Sequence, residues 1–386
     1  MKKDISLYLH IPFCVKKCNY CDFLSFGGCS HKDMKTYVKS LCQEIYAYKE
    51  VGSGQRVISI FIGGGTPSLL ELEDMEAIFH ALNRVWEIAS FAEITIEANP
   101  GTVTLKNLIG YRQLGINRIS FGLQSANRQE LELLGRIHTY EQFVASFQWA
   151  REAGFQNINV DLMFGIPGQT LESFRHTLSK ILKLKPEHIS AYSLIVEEGT
   201  PFYENEAILS MVPDEDTEQK MYRHMKTMLR GYGYGQYEIS NYSLKGYECE
   251  HNQVYWKCQE YLGLGLGAAS YYEGYRFHNT SGYDEYLKIL SDELEVSNLF
   301  SKLRHDIEEI SLDKAMEEYM FLGLRMMQGV SIAEFQRRFG NTIQQIYEQA
   351  IATNVGRGLL EVEEDYLRLS EKGIWLSNQV MADFIL

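Results

Sequence analysis

The 386 residues are 45% hydrophobic and 23% charged, with a formal charge of −14, which is ordinary for a globular chain of one large and one smaller domain. The acidic balance and the lack of a dense Lys/Arg block argue against a nucleic-acid phosphate backbone as ligand. No run approaches the ~18 apolar residues of a membrane span, and the opening MKKDISLYLHIPF, interrupted by His10 and Pro12, reads as a strand and not as a secretory signal, so the expected location is the cytoplasm.

Along the chain, short β-branched runs alternate with helical patterns. Strands are expected at 5–11, 57–62, 92–98, 117–123, 157–164 and 188–195, and helices near 33–49, 71–88, 104–114, 139–153, 170–184 and 214–230. Gly and Pro mark the joints. Such alternation means parallel strands joined by right-handed crossovers. Six units do not close an eight-fold barrel. The expected fold class is therefore α/β, a partial, open (β/α)6 barrel over residues 1–235. Residues 236–300 form a Tyr- and Gly-rich segment. Helical periodicity returns over 311–353, followed by strand, turn and strand, so residues 301–386 are expected to form a winged-helix-like domain. Its stretch 354–366 is rich in Glu and Asp, which suits packing or protein contact better than DNA.

Directly after the first strand stands HIPFCVKKCNYCDF, with thiols at Cys14, Cys18 and Cys21. In a reducing compartment clustered cysteines point to metal and not to disulfides. A zinc site takes four N or S ligands and would borrow His10 or Cys29. Three thiolates on a 4Fe–4S cubane leave one iron open to a chelating small molecule. Further candidates lie at strand ends, where α/β barrels gather functional groups. Gly63-Gly64-Gly65-Thr66 follows the second strand. Glycines there allow close backbone approach and free N–H groups for a ligand carboxylate. Glu97 ends the third strand, Gln124 the fourth, with Arg136 beyond it, and Asp161 lies in the fifth. Each alone reads as an ordinary capping or surface group. Their succession at consecutive strand ends suggests one shared site.

C-x3-C-x2-C with Tyr20 before the third cysteine resembles the signature of the radical SAM superfamily. The flanks HIPFC and CDF resemble its HemN/HemW branch, the oxygen-independent coproporphyrinogen III oxidases and their haem-chaperone relatives. The likeness runs from about residue 5 to the C-terminus. It implies a 4Fe–4S cluster on Cys14, Cys18 and Cys21, with S-adenosylmethionine (SAM) held against it. It places Tyr8, Tyr20, Gly64, Glu97 and the neighbourhood of Ile195 around SAM. Gly65, Thr66, Gln124, Arg136 and Asp161 would face the same cavity, and the number of SAM molecules stays open between one and two. The implied chemistry is reductive cleavage of SAM, with the protein orienting the cofactor and excluding water.

The oxidases carry a further cysteine two residues after the third, where this sequence has Phe23, and an N-terminal extension, where little chain precedes Cys14 here. Both departures match the chaperone side. So does His251-Asn252-Gln253-Val254-Tyr255-Trp256, which resembles that side's HNxxYW element. A histidine can ligate haem iron axially, and Tyr255 and Trp256 offer faces for a porphyrin. A buried histidine beside core aromatics is the plainer reading of the same residues, with Cys249 and His278 as rival ligands. The resemblance thus implies a cytoplasmic haem chaperone. It would sit peripherally at the membrane when handing haem to a client such as a respiratory complex. Homodimerisation belongs to that picture, and a nucleic-acid partner does not. The alternative is a radical SAM decarboxylase of coproporphyrinogen III.

Overall fold

The six expected strands form as Lys3–Ile11, Gln55–Gly64, Glu87–Ala98, Arg118–Gln124, Ile158–Phe164 and His188–Ser193, in a computed structural model that describes residues 2–291 and 296–386. They run parallel in sequence order. Helices His31–Ala47, Leu72–Val85, Leu105–Gln113, Tyr140–Glu152 and Leu171–Leu184 make the crossovers. Four of them open on a side chain that accepts from the third backbone N–H of the helix: Ser30, Thr104, Thr139 and Thr170.

The strands follow a two-residue period. Ile94 and Ile96, Ile119 and Phe121, Val160 and Leu162 belong to the hydrophobic core beneath the helices. Thr95 and Glu97, Ser120 and Gly122, Asn159 and Asp161 alternate with them and take the opposite face. Helices therefore cover one side of the sheet, and the side that curls inward is polar.

The sheet continues past these six strands to twelve. Tyr261–Leu264 lies parallel against the first strand, and Ala269–Tyr272, Tyr275–Asn279 and Arg304–Glu309 follow antiparallel. At the other end Asn241–Ser243 pairs antiparallel with His188–Ser193. Residues 236–300, set apart in the sequence by composition, thus add strands at both edges. Arg304–Glu309 carries the sheet past residue 301. The two ends remain unpaired with each other, so the barrel is open.

A second core gathers Met320, Phe335, Ile343, Leu359, Val380 and Phe384. Helix Leu312–Gly323, strand Val330–Ser331, helices Ile332–Phe339 and Ile343–Gly356, then strands Leu360–Glu363 and Tyr366–Leu369 follow winged-helix order. Its acidic wing is paired internally, Arg368 meeting Glu361 and Glu363. Arg276 on the large sheet joins Glu318 of this domain through two 2.7 Å hydrogen bonds. Among the described residues, no helix is long and apolar enough to cross a membrane.

Candidate functional site

The C-terminal ends of the parallel strands enclose a cavity of about 360 Å3, within the range of small-molecule sites. Cys14, Cys18, Tyr20 and Cys21 line it from the loop after the first strand. Gly64, Gly65, Glu97, Gln124, Arg136, Asp161 and Ile195 line it from the strand ends and loops beyond. Eleven residues singled out in the sequence from six separate stretches of chain are thereby brought to one place. Gln124 ends its strand at a register shift with φ +68°, a conformation that a non-glycine residue adopts at some cost and that recurs at functional sites.

Arg136 organises the wall. It donates to Asn99 Oδ1 and to the Tyr20 hydroxyl, both at 2.6 Å. Asn99 in turn donates to Thr66 Oγ1 at 2.8 Å, and Thr66 reaches Cys14 Sγ at 3.6 Å. The cluster loop is thus tied by side chains to the ends of the second and third strands. The buried Arg136 Nε has no partner. Arg136 also lines the cavity, and a guanidinium there suits an anionic group on a ligand. Burial pushes the Cys18 and Cys21 thiols up, with Arg136 opposing the shift at Cys18. Among the described residues, no three Cys, His, Asp or Glu side chains stand as a set that could hold one metal ion. Cubane ligands each take a different iron, so a donor set of three half-buried thiols on one loop fits that group.

The carboxylates lie across the cavity. Burial and the neighbouring Asp161 push Glu97 up to about 7. Burial raises Asp161 as well, against hydrogen bonds from Ser120, Ser190 and Asn159. Two carboxyls that burial holds above their usual range favour a cationic ligand beside them.

The glycine run works differently from its sequence reading. The N–H groups of Gly64, Gly65 and Thr66 are already engaged, by Glu97 Oε2 at 3.1 Å, Ile11 O at 2.8 Å and Phe13 O at 2.7 Å. No free N–H of these three awaits a ligand carboxylate. The residues are glycines because the backbone is crowded: a Cβ on Gly64 would meet the His10 ring at 2.5 Å, and one on Gly65 would meet Phe13 O at 2.6 Å. Gly64 also sits at φ +108°, where side chains are strained.

Three expected residues fall outside the cavity lining. Tyr8 lies beneath it, its hydroxyl 2.9 Å from His10 Nδ1. Thr66 is 2% exposed and stands behind the cluster loop. His251 lies deep in the barrel, 1% exposed. Its Nδ1 meets Ser59 Oγ and its Nε2 meets the Tyr255 hydroxyl, each at 2.9 Å. Ser59 Oγ donates to Ser6, so it accepts from Nδ1–H, and Nε2 accepts from Tyr255. The lone pair that iron would need is therefore taken. Burial lowers the ring to about 3, so it is neutral, and Tyr255 and the surrounding core, not a proton, close it. Trp256 is likewise packed, with Arg325 over its ring at 4.5 Å. In this arrangement the HNxxYW helix is packed against the barrel core.

Sequence reasoning missed Asn99, Ser120, Met163 and Tyr192 as cavity residues. Asn99 follows Glu97 at a strand end, and Ser120 alternates with Phe121, so position and period held the signal. It also missed His10, which joins Tyr8 to the Leu24 carbonyl of the cluster loop at 2.8 Å.

Residues 8–181 match the radical SAM superfamily, and residues 310–376 match the HemN C-terminal domain. A protein of Lactococcus lactis named heme chaperone HemW is 34% identical over 100% of this chain and 98% of its own length. The Bacillus subtilis protein of the same name is 36% identical over 98% and 99%. Coproporphyrinogen III oxidase HemN from Escherichia coli, a radical SAM enzyme, superposes with a TM-score of 0.86 at 23% identity, covering 100% of this chain and 90% of its own, which speaks to fold alone. Three thiols on one loop at the mouth of a polar, open barrel, and identity that runs from end to end, place this chain in the HemW family of the radical SAM superfamily.

Proposed function

We propose that this chain is a haem chaperone that carries a 4Fe–4S cluster on Cys14, Cys18 and Cys21 and SAM in the adjoining cavity. The observation behind this reading is the end-to-end likeness to relatives named heme chaperone HemW. When bound, the cluster supplies an electron for reductive cleavage of SAM. Three thiolates leave the fourth iron for the ligand. Glu97 and Asp161 hold the positive charge of a sulfonium. Arg136 sets a cation at the cavity wall for an anionic group on the ligand, and Asn99 and Tyr20 keep the guanidinium in place.

Haem enters this picture through His251 only once the helix Glu250–Trp256 has moved, because Tyr255 holds Nε2 in the packed form. The chain would work from the cytoplasm as a homodimer, without nucleic acid, and pass haem to a client such as a membrane respiratory complex. Phe23, on the cavity wall and 65% exposed, stands where the oxidases carry a cysteine, so decarboxylation of coproporphyrinogen III is not expected. An anaerobic haem titration of the cluster-reconstituted protein tests the reading. Saturable stoichiometric binding that weakens in His251→Ala supports it. No binding in either protein, or protoporphyrinogen formed with SAM and reductant, overturns it.

A further inference from the structure

Behind the cavity, the barrel interior holds a chain of buried polar side chains that none of the roles above uses. It starts at Asp161, which lines the cavity. Asp161 accepts from Ser120 Oγ at 3.0 Å and from Asn159 Nδ2 at 2.7 Å. Asn159 Oδ1 stands 2.6 Å from His188 Nδ1, and His188 Nε2 stands 2.8 Å from the Tyr237 hydroxyl. A carboxamide oxygen only accepts, so Nδ1 carries the proton and Nε2 accepts from Tyr237. The Tyr237 oxygen then accepts from Cys249 N–H at 3.3 Å. Cys249 is the residue before the helix Glu250–Trp256. Glu93 completes the hold on that helix, accepting from the backbone N–H of Glu250 and of His251, both at 3.1 Å. Asn159, His188 and Cys249 are all at most 2% exposed.

Such a chain is costly in an apolar core and is stable only when every member is paired. It joins two places far apart in sequence, the SAM cavity and the start of the helix that carries His251. Tyr237 also accepts from Met327 N–H through its backbone carbonyl, so the same residue touches the C-terminal domain. Ser120 and Asn159 each donate to a different oxygen of Asp161. A cationic ligand in the cavity pulls on the same two oxygens, and the links beyond depend on the orientation those two donors hold.

We propose that Asn159, His188 and Tyr237 are positioning residues that couple the cavity to the helix, so that SAM binding beside Asp161 loosens Glu250–Trp256 and frees His251. This rests on the SAM reading above and adds a regulation to it. Coupling of this kind is reciprocal: if SAM loosens the helix by some factor, a loosened helix binds SAM tighter by the same factor.

The experiment is amide hydrogen exchange of cluster-reconstituted protein with and without SAM, read at residues 250–257, together with equilibrium dialysis of SAM. In wild type, SAM is expected to speed exchange there about tenfold, a usual size for coupling between sites. In Tyr237→Phe, which keeps the ring and removes the hydroxyl, exchange is expected to be fast already, SAM to change it little, and SAM to bind several-fold tighter. If SAM binds wild type but leaves exchange at 250–257 unchanged or slowed, the coupling is wrong while the SAM reading stands. The coupling is also wrong if Tyr237→Phe speeds exchange without changing SAM affinity, since the hydroxyl is then merely structural. Failure of SAM to bind wild type would overturn both. The wild-type comparison decides the matter even where the variant folds poorly.

Discussion

Replacing Glu97 by Gln should turn a pH-dependent SAM affinity into a flat one. Burial and Asp161 raise the Glu97 carboxyl from its ordinary 4.5 to about 7. A fixed sulfonium favours the carboxylate and draws the group back toward its ordinary range. Below pH 7, binding must then expel a proton, and each further pH unit weakens it about tenfold. Between pH 8 and pH 6 the loss comes to roughly tenfold, because the group is mostly ionised at the upper limit. Gln keeps the shape, and its amide oxygen still accepts from Gly64 N–H, now at 3.1 Å from Glu97. Titration calorimetry of the reconstituted protein, in buffers of different ionisation enthalpy, measures affinity and proton release together. A wild-type affinity flat from pH 6 to 8 would refute the reasoning. So would a slope that survives in Glu97→Gln and disappears in Asp161→Asn, which would assign the proton to the neighbour. The same raised carboxyl affects stability with the opposite slope. The folded chain holds a proton that the unfolded chain has released, so this group's contribution is full below 4.5 and is lost as pH rises through about 7.

Gly65→Ala places a methyl 2.6 Å from the Phe13 carbonyl, and backbone cannot step aside as a side chain can. A loss of about 1–3 kcal/mol is expected from overpacking, together with reduced iron and sulfide on reconstitution, because the displaced segment carries Cys14. Cys18→Ser should lose the cluster and leave the fold, seen as absent iron and sulfide with an unchanged far-ultraviolet dichroism spectrum. His251→Ala removes the partner of both Ser59 and Tyr255 and leaves a void, so a drop of roughly 2–4 kcal/mol in denaturant unfolding is expected; an unaffected midpoint would mean the helix is not packed as described. Glu318→Ala strips Arg276 of both its 2.7 Å acceptors. It should lower stability by about 1–3 kcal/mol, with protease sensitivity appearing first between the large sheet and the C-terminal domain.

Local spacing made part of this protein legible from the chain alone. Cys14, Cys18 and Cys21 stand within one short loop, so their convergence needs no distant partner. The order of the parallel strands followed from alternation of strand and helix, because a right-handed crossover leaves few other routes. Glu97, Gln124 and Asp161 could be placed at one rim because every parallel strand delivers its end to the same side. The polar inner face was written in the two-residue period of Thr95 and Glu97 against Ile94 and Ile96.

Only the tertiary structure decided how Tyr261–Leu264 returns to lie parallel beside Lys3–Ile11, a pairing across more than half the chain that no local pattern encodes. It also decided that the N–H groups of Gly64, Gly65 and Thr66 serve Glu97, Ile11 and Phe13 and leave none for a ligand. The sharpest case is His251. The residue types alone suit a core histidine, and the family resemblance implies a haem ligand. Only the fold brings Ser59 and Tyr255 to its two nitrogens, and an imidazole's use depends on what those nitrogens meet in space.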